Sequence, residues 1–255
     1  MSADTVEELE ERPVATGQQT VAAMAQRSGR TFIPIRSQFV QAERTAADVA
    51  RAGPLSVFVR SGDHRGLLAY LLVLTVASKE PWDARYPAAV WARALDIDVQ
   101  RPAAAMSKVW KRLQDRNLVA RQRHRRQAEV TPLREDASGD PYTRPVGARS
   151  HDRYLKLDHA FWEDGWYARL GLPAVAMLLV ALAEKQGFEL PYERGPDWYG
   201  VSADTVYRGF RELNREGLLT YTVRYRPEPL SEVGSVEVRR WYVQDPFARR
   251  GARPS

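Results

Sequence analysis

With 255 residues, 44% of them hydrophobic and 27% charged, the chain is long enough for two ordinary domains with true cores. The absence of cysteine excludes disulfides, thiolate metal sites and cysteine nucleophiles, and accords with a reducing cytoplasm. A formal charge of +6 and a pI near 9.6 fit a nucleic-acid partner, while apolar runs too short for a membrane span and an acidic N-terminus unlike a signal peptide set aside membrane classes.

Residues 1–30 lack a buried periodic face, and Met1–Arg12 alone carries five acids against one arginine. A mobile acidic tail is expected, solubilising the chain or screening a basic surface. Residues 31–60 predict a helical arm, with a helix from about Ser37 to Ala52 closed by Gly53 and Pro54. A first unit spans 61–135. There Ser61 or Asp63 caps a helix running to Lys79, apolar almost all round and therefore a core helix. Pro87–Leu95 predicts a short second helix, and Asp96 in the turn after it tolerates a left-handed backbone. The helix Pro102–Arg116 starts on a proline at a permitted position and stops at Asn117, the next-best residue to glycine there.

Leu118–Arg126 predicts a strand, with a return over Glu129–Leu133. Lys108–Arg126 holds eight Lys or Arg against one acid, Asp115, so the ribbon has almost no apolar face. It is either a wing neutralised by phosphates or a mobile basic loop. Residues 136–152 predict a polar linker rich in Gly and Pro, within which Tyr142 offers a ring for docking on a neighbouring domain. Glu135, Asp136 and Asp140 lack the spacing of a calcium loop and read as a surface turn. A second unit, 153–247, opens with an alternating strand, Tyr154–Asp158, expected to join the hairpin sheet. The aromatic-rich Ala160–Leu170 reads as core rather than as a base-stacking platform. A long apolar helix from Pro173 to Gln186 and a short one over Glu193–Tyr199 follow, and 248–255 is a basic C-terminal tail.

The chain is organised around GVSADTVYRGFRELNREG, Gly200–Gly217. At about 100° per residue, Val206, Phe210 and Leu213 form one narrow stripe, while Asp204, Arg208, Arg211 and Arg215 gather opposite. Ser202 is the N-cap candidate and Gly217 suits the left-handed position after the last turn. LLTYTVRYR and VEVRRWYV alternate as two strands of a hairpin. A shift of 100 positions lays Met106, Trp110, Leu113 and Leu118 on Val206, Phe210, Leu213 and Leu218, with Lys108 and Lys111 on Arg208 and Arg211. LLVLTVASK likewise matches LLVALAEK upstream, so one unit is used twice.

A capped helix after the short turn Tyr199–Ser202, followed by Gly-Leu-Leu and a basic hairpin, resembles the recognition helix and wing of bacterial winged helix-turn-helix proteins. Leu95-Asp96-Ile97 departs from the Leu-Gly-Ile of many such motifs. The resemblance implies a mainly α fold with small β-hairpins (α+β), two winged-helix domains in tandem, and double-stranded DNA as partner. It makes Lys108, Lys111, Arg112, Ser202, Thr205, Arg208, Arg211 and Arg215 the recognition-helix candidates. Arg121, Arg123, Arg125, Arg126, Arg224, Arg226, Arg239 and Arg240 become wing contacts, chiefly to phosphate. A cytoplasmic, nucleoid-associated transcription regulator is the expectation. A plasmid or phage type replication initiator and a protein-interaction module remain as alternatives. By family analogy the arm serves homodimerisation. No phosphate-binding loop, nucleophile elbow, zinc helix or dinucleotide fingerprint occurs, so no enzyme, cofactor or metal is expected.

Overall fold

The computed structural model describes residues 13–43, 51–124 and 127–248, without the side chains of Arg123, His124, Gln127 and Ser150. Residues 1–12 of the acidic tail and 249–255 of the basic tail lie outside that range, as do Arg125, Arg126 and positions 44–50 of the arm.

The first described element is a helix where no buried face was expected. Thr16 and Gln19 form a capping box, each side chain accepting the other's backbone N–H, and start α1 (Gly17–Arg27). Val21, Met24 and Ala25 recur at helical spacing and are fully buried or nearly so. Weakly apolar alanines and polar glutamines around them hid the stripe. The helix expected over Ser37–Ala52 is likewise corrected among the described residues. β1 (Phe32–Arg36) is followed by a single 3-10 turn, Ser37–Phe39, and Gln41 bridges Ala52 antiparallel. Ile33 and Ile35 favour the strand, and both are fully buried.

α2 (Leu55–Arg60) leads to α3 (His64–Val76), which Asp63 caps by accepting the Gly66 N–H at 3.0 Å. β2 (Ala84–Arg85), α4 (Ala88–Ala94), α5 (Pro102–Asp115), β3 (Val119–His124) and β4 (Gln127–Pro132) complete the first unit. β5 (Tyr154–Asp158), α6 (Ala160–Glu163) and α7 (Trp166–Arg169) precede α8 (Leu172–Ala183), β6 (Phe188–Glu189), α9 (Gly195–Tyr199), α10 (Ala203–Arg215), β7 (Leu219–Pro227) and β8 (Ser235–Val243). The stretch from α3 to β4 and that from α8 to β8 therefore run alike: helix, strand, helix, helix, strand, strand. Their three-stranded sheets are ordered β2-β4-β3 and β6-β8-β7, the last strand central in both. Asn117 and Gly217, aligned by the 100-position shift, both carry positive φ, 55° and 74°.

β5 does not join a hairpin sheet. It pairs antiparallel with β1, Ile33 opposite Leu157 and Ile35 opposite Leu155, because those four side chains bury one shared apolar face. The chain ahead of the first unit is thus sewn to the start of the second. Trp162 Nε1 donates to Thr75 Oγ1 at 2.9 Å, adding a buried link between the halves. The arm also braces the second unit: Arg51 N–H donates to the Asp197 carbonyl at 2.9 Å and Gln41 Nε2 to that of Trp198 at 3.0 Å. Gly200, at φ 66°, lies so close to Ala52 and Ser56 that a Cβ would collide.

The surface-turn reading of Glu135 is corrected too. Glu135 is 0% exposed, and Arg36 Nη1 lies 2.6 Å from its Oε2. Tyr142 docks edge-on to Trp82, centroids 5.4 Å apart, so the connection between units is anchored at that ring. Among the described residues no helix is long and apolar enough to cross a membrane.

Candidate nucleic-acid interface

The outward face of α10 follows from what its inward face must bury. Val206, Phe210 and Leu213 are each 0% exposed, and the Phe210 ring lies 4.7 Å from Trp241 of β8. Gly209 lets α8 approach, since a Cβ there would meet Met177 and the Pro173 carbonyl. Asp204, Arg208, Arg211 and Arg215 are left exposed on the far side. Arg208 Nε pairs with Asp204 Oδ2 at 2.8 Å and Arg215 Nη2 with Glu216 Oε1 at 3.1 Å. Arg211 has no partner among the described residues.

The start of α10 is occupied by its own cap. Thr205 N–H donates to Ser202 Oγ at 3.2 Å, and the two hydroxyls lie 2.9 Å apart. Thr205 is 6% exposed, which removes it from the outward face. Glu212 also turns inward, accepting the Gly171 N–H at 2.8 Å.

On α5 the cations are tied up differently. Met106, Val109, Trp110 and Leu113 are buried, with Trp91 and Trp110 meeting edge to face at 5.1 Å. Arg112 Nε and Nη2 each reach Asp63 at 3.0 Å, and Arg116 Nη1 joins the same carboxylate at 2.6 Å. The Arg116 guanidinium also covers the Phe58 ring at 4.4 Å. Burial alone would raise the Asp63 pKa, but hydrogen bonds and charge from Arg112 and Arg116 prevail and hold it below the ordinary aspartate value. Lys111 pairs with Asp115 at 3.0 Å on the surface, and the exposed Lys108 side chain has no partner among the described residues. Arg121 Nη1 donates to Ser107 Oγ at 3.1 Å across a cleft of about 370 Å³ between α5 and β3.

The β7–β8 hairpin runs through nine paired positions, and every β7 residue beyond Leu219 is exposed, so the ribbon overhangs the core. Cross-strand partners share a face, which sets Arg224, Arg226 and Arg240 on the side opposite Trp241. Arg224 and Arg226 are unpaired among the described residues, whereas Arg240 Nε binds Glu189 Oε1 at 3.0 Å. Arg239 lies on the Trp241 side, donating to Glu237 at 2.9 Å and to Tyr192 Oη at 3.3 Å. In the first ribbon the Arg123 side chain, Arg125 and Arg126 lie outside what the structure describes.

Sequence reasoning missed the carboxylates that hold these cations. Asp63 was legible as a cap but not as the shared partner of arginines 49 and 53 positions away. Glu189 opposite Arg240 follows from strand register, which a two-residue strand does not announce. Among the described residues no group of His, Asp and Glu could hold a metal ion. Compared with family models, with curated proteins and with solved structures, the chain finds no match in any of the three.

Proposed function

We propose that the chain is a double-stranded DNA-binding protein with two winged-helix units, in which α10 reads base edges and α5 contributes mainly charge. The observation that carries this reading is Arg211, exposed and unpaired between Arg208 and Arg215 on the one face of α10 that the core leaves open. A guanidinium fork matches the N7 and O6 acceptors of guanine in the major groove. Further support comes from the repeated element order and sheet order of the two units.

The units are unequal. Asp63 holds Arg112 and Arg116 on α5, leaving Lys108, a compact point charge suited to phosphate rather than to base readout. Arg224 and Arg226 on the overhanging ribbon fit phosphate contacts of the same sequence-independent kind. Two such units on one duplex would let a single chain occupy major-groove segments about 34 Å apart.

In gel-shift titrations, Arg211→Ala should weaken a preferred duplex by about 1–3 kcal/mol and relax base preference, whereas Arg224→Ala should weaken all duplexes alike and flatten the salt dependence. Equal loss on every sequence for Arg211→Ala would remove base reading from α10. Transcription regulation is the role we propose, on the winged-helix resemblance. Bound sites scattered over promoters in the source genome support it, and clustered direct repeats beside this gene would put replication initiation in its place.

A further inference from the structure

A second charged site lies away from both recognition helices, where β1 meets the connection between the units. A cavity of about 320 Å³ opens there, with Arg36, Arg134, Arg144, Arg149, His151 and Asp152 on its wall. Four guanidinium groups are thus met by three carboxylates, Glu135, Asp136 and Asp152. Arg36 is answered by Glu135 at 2.6 Å and Asp152 at 3.1 Å, and Arg134 by Asp136 at 2.6 Å. Arg144 has no acidic partner: its Nη2 donates to the Ser78 carbonyl at 2.7 Å and its guanidinium lies 4.7 Å over the Trp82 ring. Arg149 is exposed and unpaired among the described residues.

Asp152 is itself neutralised, accepting N–H groups from Val146 at 2.8 Å and Gly147 at 3.1 Å as well as Arg36. The Nε–H groups of Arg36 and Arg144 are enclosed with no acceptor, and Arg36 is only 2% exposed. Those two N–H groups are shut away from the cavity itself, so the groups able to take an acceptor from outside the chain are the guanidiniums of Arg144 and Arg149, neither held by a carboxylate among the described residues. The acceptor must be anionic, compact and able to serve several forks at once, which describes a phosphate group.

We propose that this cavity binds a phosphate group, free or as the ester of a small molecule, through Arg144 and Arg149 with Arg36 behind them. The site is independent of the duplex interface.

The test is calorimetric titration of the full chain with inorganic phosphate at constant ionic strength, with chloride as control, together with thermal melting. Saturable binding and a higher Tm in phosphate alone are expected. Arg149→Ala, which removes an exposed side chain with no partner, should weaken phosphate at least about tenfold while leaving the unliganded melt unchanged. Arg144→Lys, which keeps the charge but not the fork, should also weaken it, and Arg211→Ala should not. Non-saturable heats, unchanged affinity in Arg149→Ala, or loss in Arg211→Ala would overturn the proposal. Displacement of bound phosphate by duplex DNA would overturn it too, by assigning the arginines to the nucleic-acid surface.

Discussion

Asp63 does two jobs with one carboxylate. It caps α3 through the Gly66 N–H, and it holds Arg112 and Arg116 from α5. Asparagine caps a helix as well as aspartate does, so Asp63→Asn isolates the second job. The expected cost is about 1–3 kcal/mol at pH 7 in urea unfolding, the range for hydrogen bonds to charged groups. Because the folded Asp63 pKa is lowered, its contribution is complete above the unfolded value, about 4, and is lost as pH falls through the folded value. The stability gap between variant and parent should therefore close in acid; a gap that persists well below pH 4 would show that the charge is not what stabilises. Under the DNA-binding proposal, the variant should also bind nonspecific duplex more tightly, since two guanidinium groups are released. The arginines of α10 were legible as an outward set from spacing, and the lysines of α5 from the 100-position shift. That Arg112, Arg116 and Arg240 are held was not legible, because their carboxylates, Asp63 and Glu189, lie some 50 positions away in sequence.

At the scale of elements, α10 shows how tightly a helix is fixed by its neighbour. An interior helical glycine ordinarily costs about 1 kcal/mol relative to alanine, so Gly209→Ala would stabilise an isolated helix. In the folded chain the added Cβ meets Met177 and the Pro173 carbonyl, and overpacking of that kind costs about 1–3 kcal/mol. The steric term wins, and Gly209→Ala is expected to lower the urea midpoint; a raised midpoint would mean that α8 and α10 are not in close contact. Helices and hairpins with strong periodicity, from Pro102 to Arg116 and from Gly200 to Val243, were readable from the sequence within a residue or two. α1 and β1 were not. α1 hides a three-residue stripe among alanines and glutamines, and β1 is completed by pairing with β5, 118 to 126 positions on.

Over the whole molecule, the β1–β5 sheet, the Trp162–Thr75 bond and the buried Arg36–Glu135 pair join the units into one core. Burial pushes the Glu135 carboxyl up, Arg36 opposes that shift, and losing either partner strands a charge away from water. Glu135→Gln should therefore destabilise the chain by about 3–5 kcal/mol, and far-UV and tryptophan signals should still fall in one transition. Two separated transitions in the parent protein would contradict a shared core. The repeated order of elements was legible from the 100-position shift, but the seam between the two stretches was not, since Glu135 in a polar, Gly- and Pro-rich stretch gives no sign of burial.

The central claim is that these cations face a nucleic-acid duplex, and fluorescence anisotropy of labelled duplex DNA against salt tests it most directly. Six to ten phosphate contacts predict an affinity that falls about 10³- to 10⁵-fold between 50 and 200 mM salt, with a shallower slope for the Arg224→Ala/Arg226→Ala double variant. No duplex binding at 50 mM salt, or binding indifferent to salt and to those two substitutions, would contradict it.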